Sequence, residues 1–145
     1  MTWLYENTLF DPDESFLEEY QGFVYQITEL DTGMKYIGKK LFWRAKVLPI
    51  TKTRKRRKRL KVESDWRDYY GSSEVLTEEV DSRGKDRFKR TILRLCQTKA
   101  ECTYFEAKYQ FERDVLLRED YYNGWISARV RKSHLKGLLL DKKEV

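Results

Sequence analysis

Residues 22–40 read GFVYQITELDTGMKYIGKK, and this stretch predicts a β-hairpin. Two short runs, Phe23 to Ile27 and Met34 to Gly38, are rich in the aromatic and β-branched residues that favour strands. Asp31-Thr32-Gly33 lies between the runs and has the residue types of a turn. We therefore expect two neighbouring antiparallel strands at this point of the fold.

Each predicted strand carries one tyrosine, Tyr25 on the first and Tyr36 on the second. Whether the two phenols share a face depends on the register, because a one-residue slip moves every side chain to the other face. A four-residue loop that pairs Leu30 with Lys35 would place Glu29 opposite Tyr36 and align the two phenols. A three-residue loop would not align them, and the sequence leaves both registers open.

A helix and a third strand are predicted after the hairpin. Ser72 or Ser73 can cap a helix from Glu74 to Ser82, and Gly84 is a suitable residue to end it. Phe88 to Leu95 then has the apolar and β-branched residues of a strand. Both elements can bury apolar side chains against the hairpin.

The longest predicted helix runs from about Lys99 to Arg118 and starts at a capping box formed by Thr98 and Glu101. Its apolar residues recur at three- and four-residue steps and predict a buried stripe of Tyr104, Ala107, Phe111 and Val115. The predicted fold class is α/β (α+β), with a small, mainly antiparallel three-stranded sheet flanked by helices. We assign residues 1–128 to a single domain and residues 129–145 to a basic C-terminal tail.

The composition limits the chemistry that this chain can perform. Its 145 residues, 40% of them hydrophobic, suffice for the core of one domain. His134 is the only histidine, and Cys96 and Cys102 are the only cysteines, which disfavours HNH-type nucleases, Ser-His-Asp hydrolases and His/Cys metal sites. Nothing resembles a signal peptide, a disulfide framework or a membrane span, so we expect a cytoplasmic protein without a membrane partner.

Positive charge is concentrated in one segment of the chain. The net charge is +6, and Thr51 to Lys61 contains no acidic residue. The eight basic residues of this run are Lys52, Arg54, Lys55, Arg56, Arg57, Lys58, Arg59 and Lys61. Such a run usually meets a polyanion, so we expect these residues to bind DNA within a basic insertion at residues 44–63. Because like charges resist packing, the run should be a solvated loop or a frayed helix without its partner. A nuclear-localisation or solubility role is the alternative.

The order of these elements resembles the GIY-YIG nuclease family. Gly22-Phe23-Val24-Tyr25 and Tyr36-Ile37-Gly38-Lys39 are similar to the two signature strands, although the first has Phe-Val-Tyr where the family most often has Gly-Ile-Tyr. Glu106, within Tyr104-Phe105-Glu106-Ala107-Lys108, and then Tyr122-Asn123-Gly124 follow in the family's order. The similarity extends from Gly22 to about Asn123 and looks closest to small phage-borne members, which would place the protein in the host cytoplasm.

The resemblance implies a metal-dependent DNA endonuclease that hydrolyses phosphodiester bonds, with Glu106 as the ligand of Mg²⁺ or Mn²⁺. One carboxylate can suffice, because Mg²⁺ keeps several waters and takes further oxygens from its substrate. Tyr25 would be the general base, directly or through water. This role requires nearby positive charge, because a free tyrosine has a pKa of about 10. Tyr36 would orient the nucleophile or the phosphate.

The sequence departs from the family at the cation for the scissile phosphate. In the family an arginine usually follows the second tyrosine motif, but the basic insertion occupies that stretch here. Lys40 qualifies because alternation puts it on the face of Tyr36, and Arg67 because it precedes the predicted capping serines; Arg44 is a third candidate. Asn123 would brace the metal side of the site in the family pattern, although an Asn-Gly pair is more simply a turn.

Two functions of other classes remain alternatives at this point. The first is a non-catalytic nucleic-acid-binding module that uses the basic run and the aromatic residues Trp43, Trp66, Tyr69 and Tyr70. The second is an interaction protein in which the acidic N-terminal segment and the patch from Leu138 to Leu140 meet partners. The sequence leaves the oligomeric state open.

Overall fold

The computed structural model describes residues 2–140, which contain a five-stranded sheet, a separate two-stranded ribbon and three α-helices. The strands are β1 (Leu4–Tyr5), β2 (Thr8–Leu9), β3 (Gly22–Glu29), β4 (Lys35–Leu41), β5 (Trp43–Leu48), β6 (Lys58–Glu63) and β7 (Phe88–Cys96). The helices are α1 (Glu14–Leu17), α2 (Glu74–Arg83) and α3 (Lys99–Glu112), with short 3₁₀ helices at Trp66–Asp68, Lys85–Arg87 and Lys132–Leu138. Within this part of the chain, every helix is too short or too polar to cross a bilayer.

The strand order in the main sheet is β2-β1-β7-β3-β4. β1 runs parallel to β7, and the other neighbours are antiparallel. The predicted class, a mainly antiparallel sheet flanked by helices, is confirmed, but the predicted number of three strands is wrong. The additional strands, β1 and β2, have two residues each, so alternation along the sequence could not reveal them. They join the sheet through the pairing of Leu4 with Thr91 and of Tyr5 with Ile92.

β3 and β4 form the predicted hairpin, and its two tyrosines share one face. Ile27 lies opposite Tyr36, and Tyr25 lies opposite Gly38. Residues that face each other across antiparallel strands point to the same side of the sheet. The register therefore aligns the two phenols, as the four-residue loop alternative required.

The loop of this hairpin has four residues, 30–33, but its closing pair differs from the expected one. The N–H of Glu29 donates to the carbonyl of Met34 at 2.7 Å, so these two residues close the loop. The expected register paired Leu30 with Lys35. In the structure Lys35 lies opposite Thr28, so the expected register is wrong by two residues. Both registers put the tyrosines on one face, because a two-residue shift restores the same alternation.

A buried carboxylate holds the turn in place. The side chain of Glu29 is fully buried and accepts hydrogen bonds from the N–H groups of Asp31 at 2.8 Å and Thr32 at 2.6 Å, and from the Thr32 hydroxyl. Burial alone would raise the pKa of Glu29, but these hydrogen bonds and the Arg83 guanidinium bring it below the ordinary value. Gly33 has a φ of +78°, which a side chain would disfavour.

Two hydrophobic cores lie on opposite faces of the sheet. The first contains Phe23, Tyr25 and Ile27 of β3, together with Trp66 and residues of α1 and α2. The second contains Val24 of β3 and residues of α3. Alternation along β3 distributes its residues between the two cores, so the strand is buried on both sides.

The caps of α2 and α3 are the predicted ones. The Ser73 hydroxyl accepts the N–H of Leu76 at 3.4 Å, and Gly84 ends α2 with a φ of +95°. The Thr98 hydroxyl accepts the N–H of Glu101 at 3.1 Å at the start of α3. Local sequence signals were sufficient here, because a cap is formed by residues three positions apart.

The predicted extent of α3 is wrong, and two of the four residues of its predicted buried stripe are exposed. The helix ends at Glu112 instead of Arg118, and Asp114 has a φ of +51° just after it. Within the predicted stripe, Ala107 and Val115 are buried, whereas the exposed fractions are 38% for Tyr104 and 65% for Phe111. The residues that α3 buries are Cys102, Phe105, Ala107 and Gln110. A helix with apolar residues on two faces gives an ambiguous periodicity, and packing against the sheet selected one face.

The basic insertion is more ordered than the expected solvated loop or frayed helix. β5 and β6 pair from Trp43 with Glu63 to Leu48 with Lys58, and so form a two-stranded antiparallel ribbon. We call residues 43–63 the basic ribbon. Each cross-strand pair combines an apolar with a charged residue, so neither face is uniformly charged and like charges are separated. Only residues 49–57, between the two strands, form a loop.

The chain returns to β4 after α3. Tyr121 forms a parallel bridge with Lys35, and the Tyr122 N–H donates to the Lys35 carbonyl at 2.7 Å. Leu138, in the 3₁₀ helix that follows, packs against the core beneath α3. The assignment of residues 129–145 to a tail and of 1–128 to a single domain stays a prediction, and residues 141–145 of that tail lie outside the described residues.

Candidate active site

A cleft of about 520 Å³ lies where β4 meets α2, α3 and the segment after Tyr121. Its lining residues are Tyr36, Ser72, Ser73, Glu74, Val75, Glu106, Gln110, Tyr122, Asn123, Gly124, Trp125 and Ser127. Tyr36 packs with the first core and Gln110 is buried by α3, so the lining comes from both faces of the sheet. The cleft therefore lies along the edge of β4, and it brings together three predicted site residues, Tyr36, Glu106 and Asn123.

Gly38 explains how two tyrosine rings lie side by side on this hairpin. The Tyr25 and Tyr36 ring centres are 6.2 Å apart. A Cβ on Gly38 would lie 2.5 Å from the Tyr25 hydroxyl oxygen and 2.9 Å from Cε1 of Tyr36. Both rings therefore occupy the space that a side chain at this position would need. The motif requires glycine here for close packing, not for an unusual backbone angle.

Tyr25 is sealed inside the first core. It is 0% exposed, and its hydroxyl has no hydrogen-bond partner among the described residues. Burial raises the pKa of Tyr25 well above 10, and the neighbouring phenols of Tyr69 and Tyr36 raise it further. The pKa shift is upward, so the free protein holds Tyr25 as a neutral phenol.

Tyr36 covers Tyr25 and reaches the cleft. Its side chain is half-buried, and its hydroxyl lies 3.5 Å from the Ser72 hydroxyl. Burial raises the pKa of Tyr36, which the contact with Ser72 partly offsets. Tyr36 is thus also a neutral phenol, but one that a molecule in the cleft can touch.

Glu106 lies on α3 across the cleft from Tyr36. The carboxylate is half-buried, and burial raises the pKa of Glu106, while the ammonium and the backbone N–H of Lys39 lower it in part. A carboxylate whose ionised form is disfavoured by burial gains from a nearby cation. The residues from 2 to 140 include no cluster of three or more His, Cys, Asp or Glu side chains suited to a metal ion. A site with the carboxylate of Glu106, and with Glu74 on α2 in the same lining, fits a hard, largely hydrated cation and does not fit zinc.

Asn123 holds the backbone of β4 in the middle of the second tyrosine motif. Its side-chain oxygen accepts the N–H of Ile37 at 3.0 Å, and its amide nitrogen donates to the Ile37 carbonyl at 2.8 Å. The Gln110 side chain donates to the same carbonyl at 3.0 Å. Asn123 therefore positions the strand between Tyr36 and Gly38, which goes beyond a simple turn.

The structure places Lys40 and Arg67 outside the lining of the cleft. Lys40 lies 2.7 Å from the Asp65 carboxylate and 4.2 Å from the centre of the Tyr69 ring. Arg67 is held by the carboxylates of Asp11 at 3.2 Å and Glu63 at 3.0 Å. Lys40 is therefore on the Tyr25 side of the sheet, next to the tyrosine pair.

Arg67 belongs to a different part of the surface. Its guanidinium also donates to the Pro12 carbonyl at 3.2 Å and lies 4.5 Å from the Trp66 ring centre. It lines a second cavity of about 600 Å³ that includes Trp3 and Lys85. Arg44, the third candidate, is exposed on β5 of the basic ribbon. A role in contacting the scissile phosphate stays a prediction for all three residues.

Seven of the eight residues of the basic run are exposed to solvent, and Arg54 is half-buried. Lys58, Arg59 and Lys61 lie on β6. The remaining residues, Lys52, Arg54, Lys55, Arg56 and Arg57, lie in the loop between the two strands. The Lys61 ammonium lies 4.2 Å from the Trp43 ring centre, at the base of the ribbon. DNA binding by this run stays a prediction at this stage.

The aromatic residues that the binding alternative invoked are mostly structural. Trp66 is 1% exposed, and its indole N–H donates to Glu63 at 2.8 Å. Trp43, Tyr69 and Tyr70 are half-buried against the first core, and the indole N–H of Trp43 donates to the Tyr20 carbonyl at 2.9 Å. These side chains have limited surface left for stacking on bases.

Among the cleft residues that sequence reasoning missed, Trp125 is a large aromatic side chain with most of its surface exposed. Trp125 is 76% exposed and lines the cleft beside Gly124. The available signal was its position directly after the Tyr122-Asn123-Gly124 segment. The buried tryptophans could not be distinguished from this exposed one by residue type alone.

Comparison with known proteins assigns this constellation to a family. The sequence model described as "Putative endonuclease segE, GIY-YIG domain" matches residues 3–126. This match spans the sheet, the basic ribbon, the segment that carries Asn123 and Trp125, and every lining residue of the cleft except Ser127. The searches of curated proteins and of solved structures returned no match.

Proposed function

The chain belongs to the GIY-YIG endonuclease family, and on that premise we propose that it is a DNA endonuclease that hydrolyses phosphodiester bonds with a bound Mg²⁺ or Mn²⁺ ion. The observation that carries this proposal is the cleft at the β4 edge. It combines the carboxylate of Glu106, the phenol of Tyr36 and the backbone held by Asn123. Glu106 provides an oxygen ligand, Tyr36 a hydrogen-bond donor for water or phosphate, and Asn123 a rigid support for the strand.

The donor set of the cleft fits the proposed ion. Glu106 would hold it, because this half-buried carboxylate gains most from a neighbouring cation. Mg²⁺ or Mn²⁺, when bound, would neutralise charge on the phosphate and lower the pKa of a bound water. Lys39 stays beside the carboxylate, where its ammonium is also bonded to Thr103 at 2.6 Å.

The two tyrosines have different roles in this proposal. Tyr36 reaches the cleft as a neutral phenol, so it can orient the attacking water or the phosphate by a hydrogen bond. Tyr25 was expected to be the general base, but its raised pKa keeps the proton on its hydroxyl in the free protein. Its unsatisfied hydroxyl can serve the reaction only if the Tyr36 or Tyr69 ring moves, because both rings pack against it.

We assign the phosphate contact to Lys40 in preference to Arg67. Lys40 has one carboxylate partner, Asp65, whose side chain is 75% exposed, so a phosphate can replace it at little cost. Arg67 is engaged by Asp11, Glu63 and a carbonyl group at once, and these contacts would have to break.

The basic ribbon supplies DNA affinity in this proposal. Its eight-residue basic run is exposed over most of its length and is charged on both sides of the ribbon. Two-stranded ribbons of this kind fit the grooves of duplex DNA, and lysine and arginine contacts to phosphates release counterions. The ribbon begins just after β4 ends at Leu41, so DNA bound to it can extend along β4 to the cleft at Tyr36.

One observation favours the alternative of a non-catalytic DNA-binding module. The hydroxyl of Tyr25 is closed off from solvent, as in a packing residue, whereas a general base must reach water or substrate. The alternative predicts that the protein binds DNA in EDTA and never cuts it.

The deciding experiment is incubation of the pure protein with supercoiled plasmid DNA, with Mg²⁺, with Mn²⁺ and with EDTA. We expect nicked or linear products with either metal and none with EDTA. Glu112→Gln is the matched control for Glu106→Gln, because Glu112 is an exposed carboxylate on the same helix. Binding without products under all conditions would overturn the endonuclease proposal.

A further inference from the structure

Trp125 is exposed at the place where the substrate would lie. Isolated apolar side chains on a surface are ordinary, so exposure alone has no functional meaning. The indole of Trp125, however, is 76% exposed and forms part of the cleft that holds Glu106 and Tyr36. Trp3 and Trp66, by comparison, are each 1% exposed in the first core. The cleft thus combines polar groups on its floor with a large aromatic surface on its rim.

The backbone just before Trp125 is anchored, so the indole is attached to a fixed point of the cleft. Asn123, two residues earlier, is bonded twice to Ile37, and the Tyr122 N–H is bonded to the Lys35 carbonyl. Such anchoring lowers the entropic cost of presenting a side chain to a ligand. Val75 lines the same cleft from α2 and is 53% exposed, which adds apolar surface to the rim.

The chemistry of this rim indicates which part of DNA it contacts. Phosphates and hydrated cations are matched by the polar floor, whereas an indole offers a flat apolar face that stacks on a nucleobase. In paired duplex DNA the base faces are covered by neighbouring base pairs. An unpaired base is the easiest to expose, because little stacking and pairing energy is lost.

We propose that Trp125 stacks on a base unstacked beside the scissile phosphate, so that the preferred substrate is DNA with an unpaired nucleotide at the cleavage site. This inference rests on the proposed function, since it places the scissile phosphate in the cleft. Stacking on an aromatic side chain corresponds to an affinity gain of about 5- to 150-fold. The basic ribbon binds the flanking duplex, and Trp125 selects the position along it.

The test uses short duplexes that are fully paired or carry one unpaired 2-aminopurine, bound in EDTA so that no cleavage occurs. We expect the wild-type protein to bind the bulged DNA about 5- to 150-fold more tightly and to quench the 2-aminopurine fluorescence. Trp125→Ala should lose both effects and keep its affinity for paired DNA, while Trp125→Phe should retain part of them. Phe111→Ala is the matched control, because Phe111 is 65% exposed on α3 outside the cleft.

The possible outcomes separate this inference from the endonuclease proposal. Trp125-dependent quenching without cleavage of either DNA in Mg²⁺ would refute the endonuclease activity but retain the stacking contact. Cleavage in Mg²⁺, together with the same preference of wild type and Trp125→Ala for bulged over paired DNA, would overturn the stacking inference. A change of sedimentation in Trp125→Ala with unchanged DNA preference would assign the indole to contact between copies of the chain, which would also overturn it.

Discussion

The cleft and the basic ribbon hold their charged groups in opposite ways. In the cleft, Glu106 and Tyr36 are half-buried, and burial shifts the pKa of both upwards. In the basic ribbon, cations such as Arg56 and Arg57 are exposed. Because the groups of the cleft are half-buried, the loss of any one of them should have a large effect. The charges of the ribbon are exposed and screened by salt, so the loss of any one of them should have a small effect. Chemistry and affinity should therefore be separable in this molecule, and substitutions in each region can test that separation.

The largest expected effect is that of Glu106→Gln. The substitution keeps the shape of the side chain and removes the charge that would hold the cation, so several kcal/mol of charge stabilisation are lost and cleavage should fall by about 10⁴-fold. DNA affinity should stay within about threefold, because no phosphate contact is removed. Single-turnover cleavage and fluorescence anisotropy measure the two quantities. If this variant cleaved DNA at the wild-type rate, Glu106 would not be the metal ligand.

The second effect concerns Tyr25→Phe, which should lower the cleavage rate by about 10²- to 10³-fold if the phenol takes part in the reaction. Stability should behave differently. The hydroxyl is buried without a hydrogen-bond partner in the described structure, so its removal should leave the free energy of unfolding unchanged or raise it by about 1–3 kcal/mol. Urea unfolding and cleavage assays test the two expectations, with Tyr20→Phe as control. Equally small effects of both changes on cleavage would make Tyr25 a packing residue.

The third effect tests the ribbon alone. Replacing Arg54, Arg56, Arg57 and Arg59 by glutamine removes up to four phosphate contacts, so the slope of log K against log salt should flatten by about 3 to 4 units. Cleavage at low salt and saturating protein should change little. Anisotropy titrations at several salt concentrations, paired with single-turnover cleavage, measure both. A slope equal to that of the wild type would show that the ribbon does not touch DNA.

The smallest effect is a shift in the pH dependence of cleavage. Because burial raises the pKa of Glu106 above 4.5, its carboxylate takes up a proton at a higher pH than an ordinary glutamate does. Activity should therefore be complete well above that pKa and decline as the pH falls through it. Lys39→Met removes an ammonium that lowers this pKa, so the midpoint should move to higher pH.

Lys108→Met is the control for this pH shift, because Lys108 lies on α3 but pairs with Glu112 at 3.9 Å. The measurement is the single-turnover rate against pH at saturating DNA and subsaturating metal, so that protonation of Glu106 competes with binding of the ion. Identical midpoints in wild type and Lys39→Met would show that another group limits the acid side of the profile.

Local signals in the sequence predicted much of this fold. The hairpin, the Ser73 and Thr98 caps and the strand from Phe88 depend on residues a few positions apart, and the structure has all of them. Features set by distant contacts were missed. The pairing of β1 with β7 joins residues far apart in the chain, and the face that α3 buries is decided by the sheet beneath it.

The candidate site was predictable to the same degree. The structure brings the predicted residues Tyr36, Glu106 and Asn123 together in one cleft, and short motifs in a fixed order were enough to select them. Their catalytic roles stay predictions. The sealing of Tyr25 could not be predicted, because it results from Tyr36, Tyr69 and other rings that only the tertiary fold brings together. The exposure of Trp125 is likewise a property of the assembled surface.

The bonds between the segment after α3 and β4 also affect how the protein behaves at high concentration. β4 is the last strand of the sheet, and its outward N–H and C=O groups would be a template for the strand of another chain. At Lys35 these groups are bonded to Asp120 at 2.9 Å and Tyr122 at 2.7 Å, and at Ile37 both are bonded to the Asn123 side chain. The chain thus covers its own edge, and the segment that shapes the cleft is also the protection of the sheet against aggregation.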